Sequence, residues 1–165
     1  MIALVIKEKK TKKNTDKLAT PASVVTAHLD FIKDLIKHGL CYEPFIGTKS
    51  YLKQMTGYVV TTEIDEGTDS FEFNEVVDYI VSHPPYSILD KVLEKSVALK
   101  PKVISYLLKL SHLTPKRLGF MEQSGYYLER MKVIKIHKMG GTSVIAVWIR
   151  GEGVACISHS NIIYK

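Results

Sequence analysis

The sequence predicts a three-layer α/β fold with a mostly parallel sheet and an antiparallel hairpin near its C-terminal end. Short apolar or β-branched runs alternate with helical patterns over residues 20–110, at the spacing of βαβ units. Two later strand-like runs, residues 131–136 and 143–149, are joined through Gly140-Gly141, which is typical of a hairpin. Together these patterns favour one sheet with helices packed against it.

The composition is that of one globular domain with a basic extension. The chain has 165 residues, of which 45% are hydrophobic, enough to bury a core of its own. The formal net charge is +6, and the first seventeen residues hold six lysines against two carboxylates. We therefore predict a flexible basic arm over residues 1–19 and a single domain over residues 20–165. The arm suits phosphate contacts, and a solvated tail explains it equally well.

Cys41 and Cys156 are the only cysteines in the sequence, too few for a disulfide scaffold or a zinc site. No metal is therefore predicted. The opening MIALVI is too short for a signal-peptide core, and no apolar run is long enough to span a bilayer. We expect a soluble protein in a reducing compartment, the cytoplasm or the nucleus.

The first helix is predicted to begin at Thr20-Pro21, with Thr20 as its N-cap, and to end at Gly39. His28 and His38 are expected at its surface or partly buried. Apolar residues at helical spacing predict its core-facing stripe: Val25, Leu29, Ile32 and Ile36.

A short strand over residues 40–42 is predicted to follow, then a loop over residues 43–50. A second helix is expected to turn Tyr51, Leu52 and Met55 inward, and the β-branched run 58–62 predicts the next strand.

The stretch from residue 76 to residue 93 is the centre of the predicted fold. Residues 77–81 form an apolar run typical of a buried strand. His83-Pro84-Pro85-Tyr86 then ends it, because proline lacks an N–H and has a fixed φ. Ser87 and Asp90 fit a capping box for the helix that follows. An imidazole and a phenol are thus expected at the carboxyl end of a strand, where open α/β sheets bind ligands.

The rest of the chain continues the pattern. Residues 103–110 form a nearly continuous apolar run, which predicts a central strand. Thr114-Pro115 predicts the start of another helix, and the hairpin follows. Residues 154–164 are expected to add a last strand or to lie over the sheet.

The His83-Pro84-Pro85-Tyr86 turn resembles motif IV of the S-adenosylmethionine-dependent amino-methyltransferases, usually Asp/Asn/Ser-Pro-Pro-Tyr/Phe. The resemblance covers roughly residues 20–151 and lies closest to small phage-type DNA adenine-N6 methyltransferases. It implies a class I methyltransferase-like, Rossmann-like fold. It also implies that His83, Pro84, Pro85 and Tyr86 hold the target amine and stack on its base.

The other motifs fall in the order that this family requires. Thr20-Pro21 resembles motif X, and residues 43–50 resemble motif I, Asp/Glu-Pro-x-x-Gly-x-Gly. Glu63 stands where a carboxylate typically binds the ribose hydroxyls, and Asp69 with Phe71 looks like motif III. The resemblance implies S-adenosylmethionine as cofactor, held by a set of eight residues: Thr20, Pro21, Glu43, Phe45, Gly47, Glu63, Asp69 and Phe71.

Two positions depart from the family pattern. Lys49 replaces the second glycine of motif I, and His83 replaces the Asp, Asn or Ser of motif IV. A neutral imidazole can accept a hydrogen bond from an amine through one nitrogen, whereas an imidazolium cannot. The chain also has no room after residue 113 for a separate target-recognition domain.

Three hypotheses follow from the resemblance. The first is a methyltransferase acting on an exocyclic amine of nucleic acid, with adenine N6 in DNA as the target and a specificity subunit as a further partner. The second is a catalytically inactive methyltransferase-like module that binds nucleic acid or a partner protein. The third is methylation of another amide or amine, since Asn-Pro-Pro-Tyr also serves protein-glutamine methyltransferases.

Overall fold

The computed structural model describes residues 19–136, 141–151 and 153. These residues form one six-stranded mixed sheet in the order β2-β1-β3-β4-β6-β5. The strands are β1 Leu40–Glu43, β2 Tyr58–Thr61, β3 Tyr79–Ser82, β4 Val103–Lys109, β5 Tyr126–Lys135 and β6 Thr142–Arg150. Strands β1 to β4 pair in parallel, whereas β6 is antiparallel to both β4 and β5. The predicted parallel sheet with an antiparallel C-terminal pair is confirmed.

Helices cover both faces of the sheet. They are α1 Ala22–Ile32, α2 Leu89–Ala98 and α3 Pro115–Gln123. Alternate residues of β4 enter two different cores, with Tyr106 on the side of α2 and α3 and Leu107 on the side of α1. Both faces are therefore buried, which explains why β4 reads as a continuous apolar run. The three-layer α/β prediction is confirmed.

Helix α1 differs from its prediction at both ends. Its N-cap is Pro21 and not Thr20, and it ends at Ile32, well before Gly39. Gly39 has a φ of 138°, and a Cβ at this position would clash with the Asp78 carboxylate. That carboxylate accepts a hydrogen bond from the Leu40 N–H at 2.9 Å. Gly39 therefore permits a close approach at the start of β1 and does not cap a helix.

His28 also differs from its prediction, because its side chain is completely buried under α1. His38 is exposed, as expected. Residues 25, 28 and 32 share one helical face. The spacing that predicts the core-facing stripe of α1 therefore also includes His28.

The predicted helix at Tyr51, Leu52 and Met55 is a series of turns. Left-handed φ values at Gly47 (42°) and Lys49 (61°) are incompatible with a regular helix there. Tyr51 is nevertheless buried and Met55 packs against the α1 side of the core, so their inward orientation is confirmed.

The predictions for the start of α2 and for the start of α3 have opposite outcomes. Helix α2 follows a single 3₁₀ turn, Tyr86–Ile88, and its N-cap Ile88 makes no side-chain bond. The N-cap of α2 is therefore Ile88 and not Ser87, and the Asp90 carboxylate pairs with the Arg117 Nε at 2.5 Å. Thr114 does cap α3, accepting from the Arg117 N–H at 3.4 Å, with proline next to it.

The C-terminal strands extend further than predicted, since β5 begins at Tyr126. Most of the turn between β5 and β6, the arm before residue 19 and the segment 154–164 lie outside the described residues. No helix among the residues described is both long and apolar enough to cross a membrane.

Candidate functional site

The fold gathers the predicted motifs at one edge of the sheet. Strands β1, β2 and β3 are parallel neighbours, so their carboxyl ends lie together. Glu43 ends β1, Glu63 follows β2 by two residues, and His83 directly follows β3. Ligands of open α/β sheets bind at such an edge.

His83 is held through both of its ring nitrogens. Nδ1 lies 2.9 Å from the Thr20 Oγ1, and Nε2 lies 2.9 Å from the Tyr86 Oη. Thr20 is buried, whereas His83 and Tyr86 are half-buried. Thr20, the residue before the N-cap of α1, is thus joined directly to the turn after β3.

A second imidazole, that of His28, is fully buried in the core. His28 Nδ1 is 2.7 Å from the Tyr51 Oη, and His28 Nε2 is 2.7 Å from the Ser105 Oγ. Burial, with a smaller contribution from the charge of His83, lowers the pKa of His28 to about 3. His28 is therefore neutral at physiological pH and has hydrogen-bond partners at both nitrogens.

Glu43 is a buried carboxyl group directly beside the His83 turn. Ser82 Oγ donates to its Oε1, as does the Phe45 N–H at 3.2 Å. Its Oε2 is buried without a hydrogen-bond partner among the described residues. Burial raises the pKa of Glu43 to about 8; the bonds from Ser82 and Phe45 oppose that rise, and the charge of Glu63 adds to it.

The loop after β1 is bound to the segment after β2. The Gly47 N–H donates to the Glu63 Oε2 at 2.7 Å. Two residues later, the Lys49 Nζ lies 2.8 Å from the Glu66 Oε1. Motif I and the predicted ribose carboxylate are therefore in contact, and the ammonium of Lys49 is paired with a carboxylate.

The motif III residues make a local turn against the core. Asp69 Oδ1 accepts the Phe71 N–H at 2.8 Å, as in an Asx turn. Phe45 and Phe71 are partly buried and pack against the core on the α2 side. Between them and Tyr106 lies a cavity of about 10 Å³, room for one water molecule.

The ring of Tyr86 is covered by a residue that the sequence patterns do not indicate. The His112 ring lies 4.5 Å from it, centroid to centroid, at an interplanar angle of 36°. Arg117 contacts the same histidine, with its Nη1 3.1 Å from the His112 Nδ1. Lys109 Nζ lies 5.9 Å from the centroid of the Tyr86 ring. His112 follows β4 in a 3₁₀ turn, and no local motif identifies it as a neighbour of Tyr86.

The two prolines between His83 and Tyr86 lie at the base of this site. Pro84 is buried, and Pro85 is partly buried with an extended backbone, φ −64° and ψ 127°. Pro21 is partly buried beside Thr20, and its carbonyl accepts the N–H groups of Val24 and Val25.

Comparison with known proteins identifies the fold. No family model matches the sequence, and no curated protein matches it. A 1,6-didemethyltoxoflavin-N1-methyltransferase from Burkholderia thailandensis, with bound S-adenosylhomocysteine, matches 77% of both chains at a TM-score of 0.56 and 10% identity. A ribosomal protein L11 methylase from Lactobacillus delbrueckii subsp. bulgaricus matches 78% of this chain and 77% of its own at 0.55 and 11% identity.

A third similar structure is the E. cuniculi Mtq2-Trm112 complex, responsible for methylation of the eRF1 translation termination factor. It matches 82% of this chain and 99% of its own at a TM-score of 0.50 and 12% identity. The chain therefore has the class I, Rossmann-like methyltransferase fold. The three proteins act on a small molecule, a ribosomal protein and a translation factor, and one fold can serve many acceptors.

Proposed function

We propose that this protein is an S-adenosylmethionine-dependent methyltransferase that acts on an exocyclic amine of nucleic acid, with adenine N6 in DNA as the target. The observation that carries the proposal is the His83–Tyr86 pair at the carboxyl end of β3, at the same sheet edge as Glu43, which ends β1, and Glu63, which follows β2. An amine acceptor and a cofactor would then meet at one sheet edge.

The residues at this edge fit the cofactor. S-adenosylmethionine supplies a methyl group bound to a sulfonium, and its methionine end carries an ammonium. Glu43 offers a buried Oε2 without a partner among the described residues, and Glu63 offers a carboxylate suited to hydroxyl donors. Lys49 pairs with Glu66, which offsets a charge that would otherwise oppose a cation. The residues that would hold the cofactor are Thr20, Pro21, Glu43, Phe45, Gly47, Glu63, Asp69 and Phe71.

The acceptor would be held by the turn after β3. His83 Nε2 and the Pro84 carbonyl would accept the two N–H groups of the amine, which directs the nitrogen lone pair towards the methyl group. The Tyr86 ring would stack on a flipped base, an interaction of ~1–3 kcal/mol. His112 now lies against that ring, so a base would have to displace it or stack on another part of Tyr86.

The alternative function is an inactive methyltransferase-like module that binds nucleic acid or a partner protein. Three observations favour it. Lys49 occupies the second glycine position of motif I, and the carboxylate of Glu63 is already engaged by the Gly47 N–H. In addition, one side of Tyr86 is covered by His112.

Calorimetric titration with S-adenosylmethionine and S-adenosylhomocysteine separates the two functions. We expect micromolar binding of both, and His83→Ala should abolish methyl transfer to adenine-containing single-stranded DNA with cofactor affinity nearly unchanged. The same oligonucleotide without adenine is the control. Absence of binding at millimolar ligand would overturn the enzyme proposal. Lys49→Gly combined with His83→Asn would then test whether these two departures alone abolish binding.

A further inference from the structure

The hydrogen bond between Thr20 and His83 links two motifs that the sequence assigns to different ligands. Thr20 was expected beside the cofactor, and His83 beside the acceptor amine. The Thr20 Oγ1 lies 2.9 Å from the His83 Nδ1, although the two residues are 63 positions apart. Thr20 is only 7% exposed, so the bond is shielded from competing water.

The chemistry of the two partners of His83 favours one tautomer. A neutral imidazole has one N–H donor and one lone-pair acceptor. Of the two hydroxyls, the phenol of Tyr86 is more acidic than an aliphatic alcohol and is the better donor. Tyr86 O–H therefore donates to Nε2, and Nδ1–H donates to the Thr20 Oγ1. This arrangement leaves the lone pair of His83 on the nitrogen that faces Tyr86.

We propose that Thr20 is a positioning residue that fixes His83 in the Nδ1–H tautomer, so that Nε2 acts as the general base for the methyl acceptor. The inference rests on the proposed function and adds a proton acceptor to it. A carboxylate, amide or hydroxyl at the first position of motif IV accepts a hydrogen bond from an amine but is a poor base at neutral pH. An imidazole accepts the hydrogen bond and can then take the proton.

The proton step is balanced within the site. The acceptor nitrogen would form its new bond to the methyl carbon as the bond from that carbon to the cofactor sulfur breaks, with the electron pair of the broken bond remaining on sulfur. The N–H bond would break with its electron pair kept by nitrogen, and the proton would move to the His83 Nε2. The resulting imidazolium keeps its Nδ1–H bond to Thr20. The Tyr86 hydroxyl, which donates to Nε2 in the resting site, turns away when the amine takes its place at that nitrogen. His83 is half-buried and can return the proton to solvent.

The surrounding titratable groups leave this role to His83. His28 on α1 is buried and neutral, with both nitrogens bonded to Tyr51 and Ser105, so it does not compete for the proton. The carboxyl group of Glu43 accepts a hydrogen bond from the hydroxyl of Ser82, the residue that precedes His83. His112 and Lys109 lie beside the Tyr86 ring, 4.5 Å and 5.9 Å from its centroid.

Nitrogen-15 NMR of histidine-labelled protein tests the tautomer without any assay of activity. Long-range proton–nitrogen correlations distinguish protonated from unprotonated ring nitrogens, and loss of signals in His83→Asn assigns His83. We expect the Nδ1–H tautomer in the wild type and in Thr20→Ser, and a reduced Nδ1–H population in Thr20→Val. An Nε2–H tautomer in the wild type, or identical spectra for Thr20→Val, would overturn the proposal.

Kinetics test the consequence. With the full chain at saturating cofactor, Thr20→Val should lower kcat by about tenfold or more, whereas Thr20→Ser should restore kcat to within a few-fold. The acid limb of the pH–rate profile should follow His83 and shift in Thr20→Val. Weaker cofactor binding in Thr20→Val, with an unchanged tautomer and pH profile, would return Thr20 to the cofactor site. Absence of cofactor binding in the wild type would overturn the proposed function, while the NMR result would still decide the tautomer.

Discussion

The ammonium of Lys49 lies 2.8 Å from the carboxylate of Glu66, and Lys49 itself has a left-handed backbone with φ 61°. The position where the methyltransferase pattern has glycine thus keeps a glycine-like conformation while holding a lysine. The side chain is directed to the 3₁₀ turn after β2, Ile64–Glu66. A bulky residue is accommodated at this turn at the cost of backbone strain.

Lys49→Gly should therefore stabilise the protein slightly. Removing a non-glycine residue from the left-handed region relieves roughly 1–2 kcal/mol, and the exposed ion pair that is lost contributes about 0–1 kcal/mol. We expect the free energy of unfolding to rise by about 0.5–1 kcal/mol in urea titrations. Glu66→Gln is the control, because it removes the ion pair and keeps the strain. Destabilisation of Lys49→Gly by more than 1 kcal/mol would show that the ion pair outweighs the strain.

The fold was largely predictable because burial on both faces leaves a direct sequence signal. The apolar runs that became β3 and β4 needed no tertiary information. The turns after β1 were not predictable, because left-handed φ at Lys49 depends on a partner after the next strand. Tyr51 and Met55, which follow β1 at helical spacing, are packed into the core but belong to turns and not to a helix.

The site was predictable only where its motifs are local in sequence. His83 and Tyr86 are three residues apart and could be identified from their spacing. The partners of His28 and His83 are distant, since Ser105 is 77 positions from His28. Such bonds depend on how the strands are ordered in the sheet, which the sequence patterns do not specify. The contact between the rings of His112 and Tyr86 likewise depends on the order of the strands.

The buried carboxyl group of Glu43 should make stability fall at alkaline pH. Its pKa rises from 4.5 to about 8 on folding, so between these values the folded protein binds more protons than the unfolded chain. Stability contributed by the protonated group is then lost as pH rises. His28 acts in the opposite direction, because its pKa falls from 6.5 to about 3 and the unfolded chain binds more protons there. The effect of Glu43 should therefore be seen without opposition from His28 between about pH 6.5 and 8.

Glu43→Gln tests this pH dependence, since an amide keeps an acceptor for Ser82 and for the Phe45 N–H. We expect the free energy of unfolding at pH 8 to exceed that of the wild type by about 1–4 kcal/mol, and the difference to become small near pH 4. Urea titrations at pH 4, 6 and 8 measure it. A difference independent of pH would show that Glu43 does not change its protonation on unfolding.

His112→Ala should expose the ring of Tyr86 to an incoming base. A tilted ring pair contributes about 0.5–1.5 kcal/mol, and that contact must be broken before a base can stack on the same side. We expect adenine-containing single-stranded DNA to bind about 2- to 10-fold more tightly to His112→Ala, and more weakly to Tyr86→Ala. Fluorescence anisotropy measures both. Leu110→Ala, an exposed residue of the same 3₁₀ turn, is the matched control. Weaker binding to His112→Ala would show that His112 itself contacts the nucleic acid.

Binding to nucleic acid should be tolerant of sequence and steeply dependent on salt. Because the proposed interface relies on the lysines among the first seventeen residues, phosphate contacts would dominate, and each releases counterions with a slope of about −0.7 to −0.9 in log affinity against log salt. Replacing the six lysines among the first seventeen residues by glutamine should reduce that slope and weaken binding to all sequences alike. The same change should leave calorimetric cofactor binding unaltered, which confirms an intact domain. Sequence-selective binding by the full chain with little dependence on salt would contradict an interface of phosphate contacts, and base-specific contacts would then have to come from the loops around Tyr86.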